Sequence, residues 1–163
     1  MDFKTSLDKM SMVTTTATTL LIIYICFTQV VQAPQTTPVV ALTLGVVLPA
    51  TYLYCLLMMP LAYSVTQNHI RVRRLLADWE LRRDSVSAVR ILEHKEMGFT
   101  LRLFGVGGLF GYFGMFRNAR LGNFRMLGTR RNKALLIETI TGKKFVITPD
   151  DPKEFIAYFN TFK

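Results

Sequence analysis

The 163 residues are enough for one domain with a small additional segment, and half of them are hydrophobic. The 20 Lys and Arg residues outnumber the 11 Asp and Glu residues, which gives a formal net charge of +9. This balance favours an anionic partner, either a membrane surface or a nucleic acid.

Residues 10–68 contain no Asp, Glu, Lys or Arg, and such a run is too long for one buried helix or strand. It is long enough for two membrane spans of roughly 20 residues each. We predict spans at 12–32 and 39–62, joined by a polar, proline-containing turn, QAPQTTP, at 32–38. Both cysteines lie in this run, so a disulfide framework is not supported.

Each predicted span has a distinctive feature. The first span carries five threonines between positions 14 and 19, which a lipid helix tolerates because the hydroxyl can bond to a backbone carbonyl one turn earlier. In the second span, Ala41 and Gly45 form a small-xxx-small pair that allows close helix packing. Pro49 is expected to kink the second span.

Basic residues near the ends of the spans predict their orientation. Lys4 and Lys9 flank the first span, and Arg71, Arg73 and Arg74 follow the second, whereas the connecting turn is uncharged. We therefore expect both termini on the cytoplasmic side. The three arginines either set only this topology or form an anionic-surface site.

An alternative interpretation of the first apolar segment is a cleaved signal peptide, with Val31-Gln32-Ala33 as its cleavage site. Pro34 directly after the cut is unfavourable for this reading. The second span would anchor the chain in either case, so a membrane hairpin is the favoured interpretation.

From Tyr63 onward, apolar and polar residues alternate with the period of β-strands. The stretch YSVTQNHIRVRRLL predicts two strands joined by a tight Gln-Asn turn, and Thr141-Gly142 predicts a later hairpin turn. Further strands are predicted in ADWELRR, SVSAVRILE, FTLRLF, FRMLGT, ALLIETI and KKFVITP.

The chain ends in a predicted amphipathic helix. Asp151 occupies the N-cap position, Pro152 the first helical position and Glu154 the third, which is the pattern of a capping box. Phe155 and Phe159, together with Ile156, would lie on one face of this helix. Such a helix can close the open end of a small curved sheet.

The run LLIETITGKKFVITPDDPKEFIAYF, after strands in this order, resembles the bacterial pleckstrin-homology-like (PH) domains. The segment GGLFGYFG followed by RNARLGNFRMLGT also resembles membrane-anchored members with two N-terminal transmembrane helices. The resemblance covers about residues 62–163 and implies about seven antiparallel strands in a roll closed by a C-terminal helix. It also implies a non-catalytic adaptor. We therefore expect a cytoplasmic N-terminus at 1–11, an α-helical transmembrane hairpin at 12–62 and a mainly-β PH-like domain at 63–163.

The glycine-rich stretch GVGGLFGYFGMF, residues 105–116, does not fit a nucleotide site. Phe110 stands where a dinucleotide-binding loop needs its third glycine, and no Gly-Lys-Ser/Thr follows for a P-loop. His69 and His94 have no metal-ligand spacing with Cys, Asp or Glu, and no acid–base pair is evident. We expect no enzyme, no metal and no cofactor.

A triplet repeat of glycine with aromatic residues predicts a tight irregular loop in this stretch, with two open interpretations. The aromatic side chains fold back and plug the open end of the sheet, with glycine allowing close approach and positive φ. Alternatively, the loop enters the membrane interface or a partner's groove while nearby arginines hold lipid phosphates. The candidate contact residues are Phe110, Tyr112, Phe113, Phe116, Arg102, Arg117 and Arg120.

A further alternative is a phosphoinositide-style pocket in which basic residues of neighbouring strands converge. Arg71, Arg73, Arg82 and Arg83 have the spacing for it, but the convergence itself is not visible in a sequence.

The leading functional hypothesis is a membrane-anchored PH-like adaptor at the cytoplasmic face of a bacterial inner membrane. Its ligand would be a protein or an anionic lipid, and a homo-oligomer is one of the alternatives. A second hypothesis is a subunit of a larger membrane complex that acts through its transmembrane hairpin. A third, a membrane-tethered nucleic-acid binder, is disfavoured because the aromatics cluster in one stretch instead of interleaving with basic residues.

Overall fold

The computed structural model describes residues 1–32 and 37–161, so most of the predicted turn at 32–38 lies outside the described residues. Helix α1 is Lys9–Gln32, and the second apolar segment consists of α2 (Pro38–Leu42), a π-helical turn (Thr43–Val47) and α3 (Leu48–Leu57). Both segments are long and apolar enough to cross a membrane, and nearly all of their residues lie outside the protein core.

The π-helical turn lies directly before Pro49, where a kink is predicted. Proline has no N–H to donate to the carbonyl of Gly45, and a local widening of the helix is one way to accommodate this. A Cβ built on Gly45 would contact nothing within 4 Å, so packing within the hairpin does not require a glycine there.

The remainder of the described chain forms ten strands, two short α-helices and one 3-10 turn at Arg83–Ser85. The strands and α-helices are β1 (Asp2–Lys4), β2 (Pro60–Val65), β3 (His69–Arg74), β4 (Trp79–Arg82), β5 (Val86–Ile91), α4 (His94–Met97), β6 (Thr100–Gly107), β7 (Tyr112–Asn118), β8 (Gly122–Gly128), β9 (Leu135–Thr139), β10 (Lys144–Ile147) and α5 (Pro152–Asn160). One sheet has the order β1-β2-β3-β4 and the other has the order β5-β9-β10-β8-β7-β6. Strands β8 and β10 are the one parallel pair among these neighbours in the described chain.

The predicted fold class is confirmed: two apolar helices precede a β-rich domain of two sheets with a C-terminal helix. The details differ, because there are ten described strands instead of about seven and one pair is parallel. Helix α5 begins as predicted, since the Asp151 carboxylate accepts hydrogen bonds from the backbone N–H groups of Lys153 and Glu154 at 3.1 and 3.0 Å.

Strand β1 was not foreseen by the sequence analysis, which assigned no strand before the first span. Phe3 lies opposite Tyr63 in the first sheet, and its side chain is buried. Its ring lies 5.0 Å from the ring of Phe155, measured between centroids. A three-residue strand with one apolar side chain is too short for its alternation to be recognised in a sequence.

Two hydrophobic clusters hold the domain together. The first lies between the two sheets and includes α5, with Tyr63, Ile70 and Phe155 fully buried. The second lies on the other face of the six-stranded sheet, where Leu92 and Met97 cover Phe124 and Phe116. The six-stranded sheet is therefore apolar on both faces, which produces near-continuous hydrophobic runs in its strands.

Candidate membrane and partner interface

The glycine-rich stretch forms a β-hairpin, not the predicted irregular loop. Strand β6 continues to Gly107 and β7 begins at Tyr112, and the N–H of Gly108 donates to the carbonyl of Gly111 at 2.7 Å to close the turn. Gly105 and Gly114 face each other across the two strands, with φ of 108° and 133°. A Cβ on either one would overlap backbone atoms of the opposite strand, so these two positions require glycine.

The four aromatic candidates are all buried, at 5–8% exposure. Phe110 and Phe113 pack beside Cys55 at the end of α3, whereas Tyr112 and Phe116 lie in the cluster on the opposite face of the sheet. The side chains therefore alternate between two apolar environments and do not gather on one side. In this conformation none of the four is available for direct contact with lipid or with a partner.

The turn of this hairpin contacts both apolar helical segments. The N–H of Phe110 donates to the Thr15 hydroxyl at 2.9 Å, and the Phe110 ring meets the Tyr52 ring edge-on at 5.1 Å. The Thr19 hydroxyl donates to the Thr15 carbonyl at 2.6 Å, as predicted for threonine in a lipid helix, and it also bonds to the Tyr52 hydroxyl. The threonines thus connect the two helices to the hairpin.

The start of α1 is bound to the domain by polar contacts. The Asp8 carboxylate accepts from the N–H of Ser11 at 2.7 Å, which caps the helix, and from the N–H of Arg131 at 3.2 Å. The Thr129 hydroxyl donates to the carbonyl of Ser6 at 2.8 Å.

The end of α3 is bound to the domain in the same way, because the N–H of Leu76 donates to the carbonyl of Leu57 at 3.1 Å. Both helices are therefore held by the domain at the end where they leave it.

The three arginines predicted beside the aromatic residues are exposed but not grouped with them. Arg102 lies over Gly107. Arg117 and Arg120 line a groove of about 610 Å³ at the far end of β6, with Phe99 and Leu101. In the described part of the chain, none of the three arginines forms an ion pair.

Two of the three arginines predicted to face an anionic surface are paired within the chain. Arg71 contacts Glu80 at 2.7 Å and Arg73 contacts Asp2 at 3.5 Å, measured between nitrogen and oxygen. Arg74 is half-buried beside the Met58 sulfur, and burial together with the nearby charge of Arg125 lowers its pKa.

The alternative pocket of four converging arginines is formed only in part, because Arg82 and Arg83 line one pocket of about 970 Å³ whereas Arg71 and Arg73 are not in its lining. Arg82 pairs with Asp84, and the Arg83 guanidinium lies over the Phe159 ring, 4.2 Å from its centroid. Arg71 is already paired with Glu80 on the neighbouring strand. Arg71 therefore does not join the two arginines of this pocket, and both of those already have partners within the chain.

Sequence reasoning recognised strand β6 but not its position at the end of the six-stranded sheet. One edge of β6 has no neighbouring strand in the described chain, and Leu103 forms a β-bulge. Phe99, directly before β6, is 89% exposed, and within the strand Leu101 is 53%, Leu103 50% and Phe104 79% exposed. The order of strands in a sheet depends on long-range pairing, so no local signal could have shown this.

The described residues contain no group of three or more His, Cys, Asp or Glu side chains that could hold a metal ion. The most perturbed carboxylate is Glu96, at the end of α4. A hydrogen bond from Arg90 and one from the N–H of Glu93 lower its pKa to about 2. Since it pairs with an arginine on the surface, its role is structural.

A family model described as a bacterial PH domain matches residues 61–161. A search of curated proteins found no match. A search of solved structures found none either. The matched segment is more than half of the chain and extends from β2 to α5, so it covers both sheets apart from β1. The chain therefore belongs to the bacterial PH domain family, as its resemblance in sequence predicted.

Proposed function

We propose that the protein is a membrane-anchored, non-catalytic adaptor whose PH domain binds an extended, acidic segment of another protein along strand β6. The observation that carries this proposal is the uncovered edge of β6 with its exposed apolar side chains. PH-like domains are in general binding modules without catalytic activity, which is consistent with this role.

The fold and the charge pattern both support a cytoplasmic position of the domain. Because β1 pairs with β2, the N-terminus and the domain must lie on the same side of the membrane. The domain carries nearly all of the net positive charge, and basic segments next to membrane spans favour the cytoplasmic side. The adaptor would therefore face the cytoplasm.

An uncovered strand edge is a natural template for an added strand. Strand β6 is eight residues long, and its free N–H and C=O groups can pair with an extended segment. The bulge at Leu103 interrupts this edge, which limits unselective extension of the sheet and leaves apolar side chains on the surface. An exposed apolar edge of this size is typical of an interaction site.

The surrounding charge favours an acidic partner over a second copy of this chain. The groove beside Phe99 and Leu101 is lined by three basic residues, Arg117, Arg120 and Lys95, and by one acidic residue, Glu96, which is paired with Arg90. Arg117 and Arg120 have no ion pair in the described residues. Two copies joined along β6 by a two-fold axis would run antiparallel, which places these charges at opposite ends and leaves them without a counter-charge. An acidic segment would neutralise them.

The test is site-specific photo-crosslinking of the full chain in its native membrane. We expect a crosslinker at Leu103 to give one discrete protein adduct that is lost in R117E/R120E. A crosslinker at Ile140, which is 71% exposed and apolar but lies outside β6, is the matched control. Adducts only with lipid, only with a second copy, or equally at both positions would contradict the proposal.

A further inference from the structure

We infer that the PH domain is seated in the headgroup layer of the bilayer by two apolar turns, the β6–β7 turn and the β3–β4 turn. This inference concerns the lipid surface around the two spans and does not depend on binding at β6.

The depth of the β6–β7 turn follows from its contacts with the helices. It bonds to Thr15, six residues inside the start of α1, and packs on Tyr52, five residues before the end of α3. At 1.5 Å per residue these positions lie about 9 and 8 Å inside the helix ends. The second apolar segment, Pro38–Leu57, has 20 residues, which barely matches a hydrocarbon layer of about 30 Å. The helices therefore cannot shift out of the bilayer far enough to place this turn in bulk water.

The chemistry of the β6–β7 turn suits this depth. Residues 105–116 carry no charge, and Leu109 at the tip is only partly buried by the protein. The N–H groups of Gly108 and Phe110 are both bonded within the protein. A backbone with satisfied polar groups can enter a low-dielectric layer at little cost.

The β3–β4 turn presents a second apolar surface at the membrane. Leu75 and Leu76 are adjacent and each 55% exposed. The hydrogen bond from the N–H of Leu76 to the carbonyl of Leu57 places this turn at the last residue of the second span. Two exposed leucines that continue the surface of a membrane helix are favourable in contact with lipid and unfavourable in water.

Unpartnered positive charge next to these leucines fits lipid phosphates. Arg74 lies close enough to Arg125 for the two charges to repel, and the nearby Asp78 carboxylate, which also lies 3.9 Å from Arg71, offsets this only in part. Neither Arg74 nor Arg125 forms an ion pair in the described residues. The Nε of Arg74 is also buried without a hydrogen-bond partner. A phosphate oxygen of an anionic headgroup would supply a hydrogen-bond acceptor and relieve the repulsion.

The first test uses the full chain in vesicles of phosphatidylglycerol and phosphatidylethanolamine with brominated acyl chains. Tryptophan is introduced separately as L109W, L76W and, as the control, I140W, and the unchanged protein gives the background of the single native tryptophan, Trp79. We expect the added emission to fall at least twofold for L109W and L76W and to stay unchanged for I140W. Equal quenching at all three positions would overturn the inference.

The second test needs no substitution in the turn itself. Hydrogen exchange of residues 75–77 is measured in nanodiscs of anionic and of purely neutral lipid, with residues 140–142 as the internal reference. We expect at least threefold slower exchange of 75–77 in anionic lipid, and loss of that difference in R74Q/R125Q. Identical exchange of the unchanged protein in both lipids would overturn the role of the anionic headgroup.

Discussion

Two hairpins of this protein differ in how their sequence encodes them. In β2–β3, Ile70 and Val72 are fully buried while Arg71 and Arg73 between and after them are exposed, and a polar turn joins the strands. In β6–β7 the turn is neutral and glycine-rich and packs against the two apolar helical segments. The first hairpin was predicted in the correct place, and the second was mistaken for a loop.

The difference arises from what covers each face. One face of β2–β3 is in water, so polar side chains mark it and the period of two is visible. Strand β7 has α3 on one face and the second hydrophobic cluster on the other, so both faces carry aromatic residues. The glycines allow the two strands to approach closely, which a local pattern does not reveal.

The largest effect is expected from breaking the second hairpin at Gly114. In G114A the new Cβ would overlap the carbonyl of Phe104 at a φ of 133°, and we expect the free energy of unfolding to fall by about 4 kcal/mol or more. Denaturation in detergent, followed by Trp79 emission, measures this. G142A is the control: its φ is also positive, at 77°, but the Cβ has open space, so a loss of about 1 kcal/mol is expected. Equal losses would refute the close-approach argument.

Removing the side chain that ties β1 to the first hairpin should have the next largest effect. F3A leaves a cavity against Phe155 and Tyr158, and we expect a loss of about 3 kcal/mol in the free energy of unfolding. The same denaturation experiment on K4A, whose side chain is exposed, should show almost no change. A loss below about 1 kcal/mol in F3A would mean that β1 contributes little.

A smaller effect is expected where the second hairpin meets α1. T15V keeps the shape of the side chain but removes the acceptor of the Phe110 N–H, which should cost about 1–2 kcal/mol. Exchange of the Phe110 amide hydrogen should become faster in proportion. T16V alters an exposed neighbour and should leave that exchange rate unchanged. Unchanged exchange in T15V would show that the turn is held by packing alone.

The smallest effect concerns Glu96, which anchors α4 near the start of β6. Its pKa is about 2 in the folded protein, below its ordinary value of 4.5, so the ionised carboxylate stabilises the fold above pH 4.5. This contribution should diminish as the pH falls from 4.5 towards 2. E96Q should therefore lower the Tm slightly at pH 7, and the difference from the unchanged protein should shrink below pH 4.5. If the difference in Tm persists at pH 2, it arises from the shape of the side chain and not from its charge. E93Q serves as the comparison variant.

Several features of this protein are determined by local sequence alone. The long charge-free run specifies two apolar helices, because the mean hydropathy of a 20-residue segment does not depend on contacts with other parts of the chain. The β2–β3 hairpin and the start of α5 at Asp151 follow from alternation and from capping, which act within a few residues. These local signals, with the closing helix, were enough for the fold class.

Only the tertiary structure decided the features that matter most for function. The pairing of β1 with β2 joins residues about 60 positions apart, and the place of β6 at the end of its sheet depends on every other strand pairing. The glycine-rich turn takes its position beside the two apolar helical segments from single contacts with Thr15 and Tyr52. Such contacts depend on how segments that are distant in the sequence pack together. The sequence shows which residues are present but not which of them meet in space.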